Sequence, residues 1–160
     1  MNKQELLERI IERLAQEADA LAKGARSAHQ DATDPESKAE NKYDTRGLEA
    51  SYLAGAQSKM AADALHTLSV YQTMELKEFS DHTPIGLTAY VVLESDDGMS
   101  SFYFLGDKGG GIEVIYEGKK VLLITPASPI GNQLMGRTVG DSFFIQSKNK
   151  KTEYEIISVC

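Results

Sequence analysis

Acidic side chains are concentrated in one short stretch of the sequence, DATDPESKAENKYD, at residues 31–44. The stretch contains five carboxylates and two lysines: Asp31, Asp34, Glu36, Glu40, Asp44, Lys38 and Lys42. Glu36, Glu40 and Asp44 are spaced four residues apart, so they lie on roughly one face if this part of the chain is a regular helix. Like charges at that spacing repel each other by about 0.2–0.5 kcal/mol per pair. A row of carboxylates that repel one another favours a role in delivering negative charge to a binding partner.

A second interpretation of the same stretch is purely structural. The residues TDPE at 33–36 fit a helix capping box, with Thr33 as the N-cap and Glu36 three residues later. Acidic residues in the first turn of a helix also suit its dipole. This interpretation accounts for Asp34 and Glu36 but not for Glu40, so both interpretations stay open.

Other kinds of chemistry find little support in the sequence. The histidines, His29, His66 and His82, form none of the HxxH, HxH or HExxH spacings of metal sites. There is no GxSxG motif, no P-loop and no GxGxxG segment after a strand. The single cysteine, Cys160, excludes an intrachain disulfide and a CxxC motif. We therefore expect the protein to be no enzyme by itself and to have no cofactor of its own.

Composition narrows the range of partners. The 160 residues suffice for one ordinary domain, or for a small domain with an elongated element. A formal net charge of −7 disfavours non-specific binding to DNA or RNA. The sequence contains no run of 18 apolar residues, so it predicts no membrane span. The N-terminal residues also lack the apolar core of a signal peptide. We expect a cytoplasmic protein without a membrane partner.

Helical patterns lie on both sides of the acidic stretch. Apolar residues within 3–30 follow the 4–3 spacing of a heptad seam: Leu7, Ile11, Leu14, Ala18, Leu21, Ala25 and Ala28. Residues 39–74 form a second helical pattern, in which six side chains are expected to share one broad face: Leu48, Tyr52, Ala56, Met60, Leu65 and Leu68. Two helices with a short connection lie antiparallel. Residues 1–76 are therefore predicted to form an antiparallel coiled-coil hairpin with the acidic stretch at its tip.

The pattern changes to strands after the linker at 75–86. Six runs are rich in β-branched and aromatic residues: LTAYVVLES, SSFYFLG, IEVIY, VLLIT, SFFIQS and TEYEIISV. Between the fourth and fifth runs, SPIGNQLMG predicts a short helix with Ser128 as N-cap, Pro129 at its first position and Gly136 at its end. Residues 77–160 are therefore predicted to form a small antiparallel sheet domain with one short helix. The fold class of the whole chain is α+β.

The segment ASPIGNQLMGRTVGDSFFI, at residues 127–145, closely resembles the C-terminal signature of the Gre family of bacterial transcript-cleavage factors. The matching positions are Ser128, Pro129, Ile130, Leu134, Gly136, Gly140 and Asp141. The last strand, TEYEIISV, also resembles the family's last strand. The resemblance implies an FKBP-like C-terminal domain, and the size and place of the predicted hairpin are similar to those of the family's N-terminal coiled coil.

The same resemblance implies a function for the acidic stretch. Gre factors insert their hairpin into the secondary channel of RNA polymerase, where tip carboxylates help to hold the second Mg²⁺ and the attacking water. The polymerase then hydrolyses backtracked RNA. Carboxylate oxygens are ligands that Mg²⁺ prefers, and a second metal activates water and stabilises the leaving oxygen. The implied catalytic residues, acting in trans, are Glu40, Glu36 and Asp34, with Glu40 on the polymerase Mg²⁺; Asn41 and Asp44 are implied binding residues.

The resemblance also implies the partners. The family's C-terminal domain docks on the channel rim, so Ser128, Pro129 and Asp141 are candidate docking residues. Bacterial RNA polymerase is the expected partner, the RNA 3′ end is contacted indirectly, and DNA is reached only through the polymerase. A monomer suits channel entry, and the only metal expected is the Mg²⁺ of the polymerase active site.

The tip departs from the family pattern in one respect. SKAEN at 37–41 matches the family at Glu40 and Asn41, but Ser37 stands where the family has aspartate, and Tyr43 comes one position early. Two hypotheses therefore stay open: a factor that stimulates cleavage, and a secondary-channel regulator that does not. A peptidyl-prolyl isomerase is a remote alternative, because isomerases of the FKBP fold need an apolar aromatic pocket and the sequence has no tryptophan.

Overall fold

The computed structural model of the chain describes residues 1–33, 46–147 and 150–160. In chain order its elements are α1 (Lys3–Thr33), α2 (Arg46–Gln72), β1 (Tyr90–Ser95), β2 (Ser100–Leu105), β3 (Glu113–Tyr116), β4 (Lys119–Ile124), α3 (Pro129–Leu134), β5 (Ser142–Ser147) and β6 (Lys150–Val159). The predicted α+β class, with two long helices followed by a sheet and one short helix, is confirmed. None of the described helices is long and apolar enough to cross a membrane.

The described residues divide into two compact units. The sheet unit comprises Met1–Ile10 and Met74–Cys160, and the helical unit comprises Ile11–Thr73. The first ten residues thus pack with the sheet, although the helical pattern of the sequence runs through them without a break.

In the helical unit, α1 follows its predicted seam. Leu14, Ala18, Ala25 and Ala28 are at most 9% exposed, and Ile11 and Leu21 are half-buried. The charged residues of α1 occupy the other faces, where ion pairs such as Lys23 with Asp19 form one turn apart. The heptad spacing in this helix therefore predicted its buried face correctly.

The predicted face of α2 is wrong for five of its six residues, and of the six only Leu68 lies in the buried seam. Leu48, Tyr52, Met60 and Leu65 are each more than half exposed. The seam of α2 consists instead of mostly small residues spaced three and four apart, which are buried or half-buried: Gly47, Ala50, Ala54, Gln57, Ala61, Ala64, Leu68 and Tyr71. Small residues on both helices allow a close approach that large side chains would prevent. The buried face of α2 is therefore formed mainly by its small residues, and most of its large apolar residues lie outside that face.

The two helices form an antiparallel hairpin. A Cβ atom on Gly24 of α1 would lie 3.7 Å from the Gln57 side-chain oxygen of α2. Alanines are buried before and after this contact on both helices, at Ala18 and Ala28 of α1 and at Ala54 and Ala61 of α2.

The capping role predicted for Thr33 and Glu36 depends on residues outside the described part of the chain, so it stays a prediction. Thr33 is the last residue of α1, and its hydroxyl donates to the carbonyl oxygens of His29, at 2.9 Å, and Gln30, at 3.1 Å. A threonine hydroxyl that bonds back to the preceding turn belongs to the helix before it. The Thr33 hydroxyl is therefore bonded to the last turn of α1.

The sheet has the strand order β3-β4-β2-β1-β6-β5. Four neighbouring pairs are antiparallel, as predicted, but β2 and β4 are parallel, with Phe102 opposite Val121. The cause is the tight β3–β4 hairpin, which turns at Glu117 and Gly118 with positive φ angles of 49° and 73°. Because this hairpin places β3 at the sheet edge, β4 is the strand that pairs with β2, and the two strands run in the same direction.

Both faces of the sheet are buried over its central strands, whereas Ile115 of β3 and Phe144 of β5 are exposed. One face contributes to a core that also includes Leu134 of α3: Ile85, Ala89, Val91, Leu93, Tyr103, Leu105, Ile124, Leu134, Phe143, Ile156 and Val159. On the other face, Phe104 and Val121 are fully buried. The start of α1 belongs to this unit, since the backbone N–H of Asn2 donates to the Tyr116 hydroxyl at 3.0 Å. Burial of alternate residues on both faces explains the nearly continuous apolar runs in β1 and β4.

Candidate functional site

The motif that suggested a family forms the first turn of α3. The Ser128 side chain accepts a hydrogen bond from the backbone N–H of Gly131 at 3.0 Å and donates one to the carbonyl oxygen of Thr125 at 2.8 Å. Pro129 occupies the first helical position, and Gly136 follows the helix with a φ of 80°. The predicted N-cap, first-turn proline and terminating glycine are all confirmed. The hydroxyl of Ser128 is therefore engaged in fixing the turn before the helix.

The same turn forms one wall of an open apolar cavity of about 630 Å³. Its lining comes from α3, the preceding turn, the loop after β2, and the strands β4 and β5: Gly110, Gly111, Leu122, Ile124, Thr125, Ala127, Ser128, Pro129, Ile130 and Ile145. None of these lining residues is charged. A concave apolar site of this size can accept one or more large apolar side chains of a partner. We refer to it below as the α3 pocket.

The three predicted docking residues have different surroundings. Pro129 is exposed and Ser128 half-buried, and both line the α3 pocket. Asp141 does not line it. The Asp141 carboxylate accepts a hydrogen bond from the backbone N–H of Thr138 at 2.8 Å, and its carbonyl oxygen accepts one from Ile156 at 3.0 Å. The structure therefore brings Ser128 and Pro129 together, and it places Asp141 in the turn that leads into β5.

Arg137 supports the pocket and was missed by the sequence analysis. Its guanidinium donates to the carbonyl oxygen of Gln133 at 2.6 Å and to the Gln133 side chain at 3.1 Å. The same group lies 5.6 Å from the ring centre of Phe143 and donates to the carbonyl oxygen of Ser142 at 3.3 Å. A cation at the end of a helix also suits its dipole. Arg137 thereby ties the last turn of α3 to β5. The sequence did offer a signal for Arg137, because this residue directly follows the glycine that terminates α3.

The predicted tip residues lie outside the described part of the chain. These are Asp34, Glu36, Ser37, Glu40, Asn41 and Asp44. Their roles therefore stay predictions. Asp31, the one acid of the stretch that is described, is exposed in the last turn of α1. Within residues 1–33, 46–147 and 150–160, no group of three or more His, Cys, Asp or Glu side chains could hold a metal ion.

The thiol of Cys160 is poorly suited to nucleophilic chemistry. The residue is half-buried, and its sulfur lies 3.6 Å from the sulfur of Met1. Burial raises the pKa of the Cys160 thiol, and the nearby Lys3 ammonium only partly opposes this effect. Because the thiolate is the reactive form, a raised pKa disfavours reaction near neutral pH. The structure supports a packing role for this side chain.

Comparison with known proteins supports the family resemblance in the region of the α3 pocket. Residues 110–160 match the family model described as transcription elongation factor, GreA/GreB, C-term. This range contains α3, Arg137 and all the residues that line the α3 pocket. No curated protein sequence matches the chain significantly.

Solved structures similar to this chain include three Gre-type proteins. The GreA factor homolog 1 (Gfh1) of Thermus thermophilus is 22% identical, with 94% of each chain covered and a TM-score of 0.38. Gfh1 of Thermus aquaticus is 22% identical, with 92% of each chain covered and a TM-score of 0.41. The transcription elongation factor GreA/GreB from Nitrosomonas europaea is 14% identical over 60% of this chain and 78% of that chain, with a TM-score of 0.37.

The predicted resemblance to the Gre family is thus confirmed for residues 110–160. The motif at 128–136 lies within the range that matches the model of the GreA/GreB C-terminal domain.

Proposed function

We propose that this protein binds bacterial RNA polymerase through the α3 pocket and presents its acidic stretch to the polymerase active site from the secondary channel. In that position it promotes cleavage of backtracked RNA. It acts in the cytoplasm as an accessory factor. The reaction takes place in the polymerase active site, to which this chain adds the carboxylates of its acidic stretch. One observation carries the proposal: the motif matched by the Gre family forms the wall of an open apolar pocket.

The pocket supports docking on a protein rather than catalysis within the chain. Its lining offers apolar surface, and its polar residues Ser128 and Thr125 belong to one turn, which is closed by the hydrogen bond from the Ser128 hydroxyl to the Thr125 carbonyl oxygen. Ile130 is half-buried and Pro129 is exposed, so both side chains are accessible to a partner. An apolar side chain of the polymerase inserted here would be desolvated at the centre of the interface, where binding energy is concentrated.

The acidic stretch is the second element of the proposal. Glu40, with Glu36 and Asp34 beside it in sequence, would supply carboxylate oxygens to the Mg²⁺ of the polymerase, and Asn41 and Asp44 would bind around it. These donors suit a hard cation that prefers oxygen ligands. The metal would stabilise charge on the reacting oxygens, and the carboxylates of this chain would help to hold it.

A second candidate function is a secondary-channel regulator that does not stimulate cleavage. The presence of Ser37, where the family has aspartate, favours it. A serine hydroxyl is a weaker ligand for Mg²⁺ than a carboxylate. Such a protein would bind the polymerase in the same way, and its effect on transcription would come from occupying the channel.

An isomerase function is disfavoured by the lining of the pocket. No aromatic side chain occurs among the described residues that line it. Prolyl isomerisation on an FKBP fold needs an aromatic surface, so we expect no turnover above background in a proline-peptide isomerisation assay.

The test is RNA cleavage in a stalled, backtracked elongation complex, together with a direct measurement of polymerase binding. We expect the wild-type protein to shorten the RNA. Glu40→Ala should abolish this cleavage while binding is retained, whereas Glu12→Ala, which removes an exposed acid of α1, should cleave normally. Ile130→Glu should weaken binding at least tenfold because it places a charge in the pocket, whereas Ile115→Glu on the exposed edge strand should bind normally.

The outcomes separate the candidates. Cleavage that depends on Glu40 establishes the first function despite Ser37. Binding without cleavage assigns the protein to the regulator class. Absence of polymerase binding by the wild-type protein would refute both functions.

A further inference from the structure

One face of α2 exposes large apolar side chains. Leu48, Tyr52, Leu53 and Met60 are 59%, 72%, 55% and 55% exposed, and Ala56 lies between them. Leu48, Tyr52, Ala56 and Met60 are spaced four residues apart, and Leu53 follows Tyr52. We call these five residues the α2 stripe. At about 1.5 Å per residue the stripe is roughly 20 Å long.

The stripe inverts the usual arrangement of an amphipathic helix. Small residues such as Ala54 and Ala61 occupy the buried seam, and the large apolar residues face solvent. Single exposed apolar residues are ordinary on protein surfaces, but a continuous row of them marks an interaction site. Since the hairpin already buries its seam without them, these side chains are available to a partner.

The charges near the stripe argue against nucleic acid or a lipid surface as its occupant. Within Arg46–Gln72 the basic residues are Arg46 and Lys59, and the acidic residues are Glu49 and Asp63. A face that binds phosphates needs clustered lysine and arginine. A helix that lies on an anionic membrane also carries a basic polar face. The occupant is therefore a protein surface with apolar character.

The size of the stripe argues against a stable dimer built on it alone. Stable interfaces use about 20–30 residues from each partner, and the stripe offers five. It therefore suits an auxiliary contact to a partner that binds this chain elsewhere as well.

The place of the stripe in the sequence indicates which partner that is. Leu48 follows Asp44 by four residues, and a chain of that length spans at most about 14 Å. Any protein that receives Asp44 is consequently within reach of Leu48, whatever the conformation between them. This continuity links the stripe to the partner of the acidic stretch.

We propose that the α2 stripe binds an apolar surface of RNA polymerase beside the site that receives the acidic stretch. This inference rests on the proposed function and adds a third contact to it, after the pocket and the tip. The stripe fixes the rotation of the hairpin about its long axis, because only one face of α2 carries it.

The test compares two matched leucines in full-length protein. Leu65 is also on α2 and 52% exposed, but it lies five residues after Met60, about 140° around the helix from it. Leu48→Ser/Leu53→Ser should weaken binding to core RNA polymerase at least tenfold. Leu53→Ser alone should weaken it several-fold, whereas Leu65→Ser should change it less than twofold. Circular dichroism checks that each variant retains its helix content.

Each outcome bears on a different claim. Equal binding by the wild type and the double variant, or equal loss with Leu65→Ser, would overturn the stripe proposal and leave the proposed function intact. Absence of wild-type binding would refute the proposed function as well. Sedimentation velocity supplies a further control. A concentration-dependent dimer that the double variant abolishes, with polymerase binding unchanged, would assign the stripe to self-association and overturn the proposal.

Discussion

Gly131 lies so close to Thr125 that a Cβ atom at position 131 would stand 2.0 Å from the Thr125 carbonyl oxygen. The same oxygen accepts the hydroxyl hydrogen bond of Ser128 at 2.8 Å. The backbone before α3 therefore occupies the space where a side chain at 131 would be. This contact sets the shape of the turn that forms one wall of the α3 pocket.

Gly131→Ala is expected to destabilise the sheet unit by about 1–3 kcal/mol, because the methyl group forces the backbone of Thr125 to move. Urea unfolding followed by tyrosine fluorescence measures this change. Gly55→Ala is the matched control, since a Cβ atom there meets nothing within 4 Å and α2 is a regular helix. It should stabilise the protein by roughly 0.5–1 kcal/mol. A neutral Gly131→Ala would contradict the close contact.

The sequence predicted those parts of the fold in which local pattern and packing agree. In α1 the heptad spacing selected the buried face, because the largest apolar residues in its first half coincide with that face. Around α3, the serine, proline and glycine each have a local role that does not depend on the rest of the chain.

Prediction failed where a distant partner decided the outcome. In α2 the large apolar residues were taken as the buried face, but the buried face consists mainly of small residues. The parallel pairing of β2 with β4 depends on the β3–β4 hairpin lying at the edge, which no single strand pattern specifies. The lining of the α3 pocket by Ile145 and Gly110 is likewise a product of tertiary structure. The roles of the acidic stretch outside Asp31 lie beyond the described residues.

Thr88 gives a prediction about the linker after α2. This β-branched residue is 3% exposed and has a positive φ of 74°, which is unusual for its type. Its hydroxyl accepts a hydrogen bond from the backbone N–H of Lys77 at 3.0 Å. Thr88→Val keeps the shape but leaves that N–H without its partner, so we expect a loss of about 1–3 kcal/mol of unfolding free energy.

Thr88→Ser is the control for this experiment. It retains the hydroxyl and removes one methyl group, so its loss in urea unfolding should be clearly smaller. Equal losses in the two variants would mean that the methyl group, rather than the hydrogen bond, secures the linker.

Tyr90 predicts a dependence of stability on alkaline pH. Burial, with smaller effects of Cys160, Glu117 and Tyr116, raises the pKa of Tyr90 from 10.0 to about 12. A folded-state pKa above the unfolded one means that the stabilisation is fully present below pH 10 and is lost as the pH rises toward 12. Urea midpoints of the wild type should therefore fall between pH 10 and 12. Tyr90→Phe should show a smaller fall, with little change at pH 7. Parallel curves for the two proteins would contradict the assignment.

The surroundings of Gln57 indicate that a substitution at this position would stabilise the hairpin. Its side-chain oxygen is buried in the seam beside Gly24 and, among the described residues, has no hydrogen-bond partner. A buried acceptor without a partner costs about 1–3 kcal/mol, and methionine has a similar length without the amide. Gln57→Met should therefore raise the free energy of unfolding of the helices by about 1 kcal/mol, measured by urea titration at 222 nm. Gln72→Met, at the exposed end of α2, should change it by less than about 0.5 kcal/mol, as is usual for surface substitutions. A loss of stability in Gln57→Met would mean that the amide oxygen is satisfied in solution and that the polar seam position supports the hairpin.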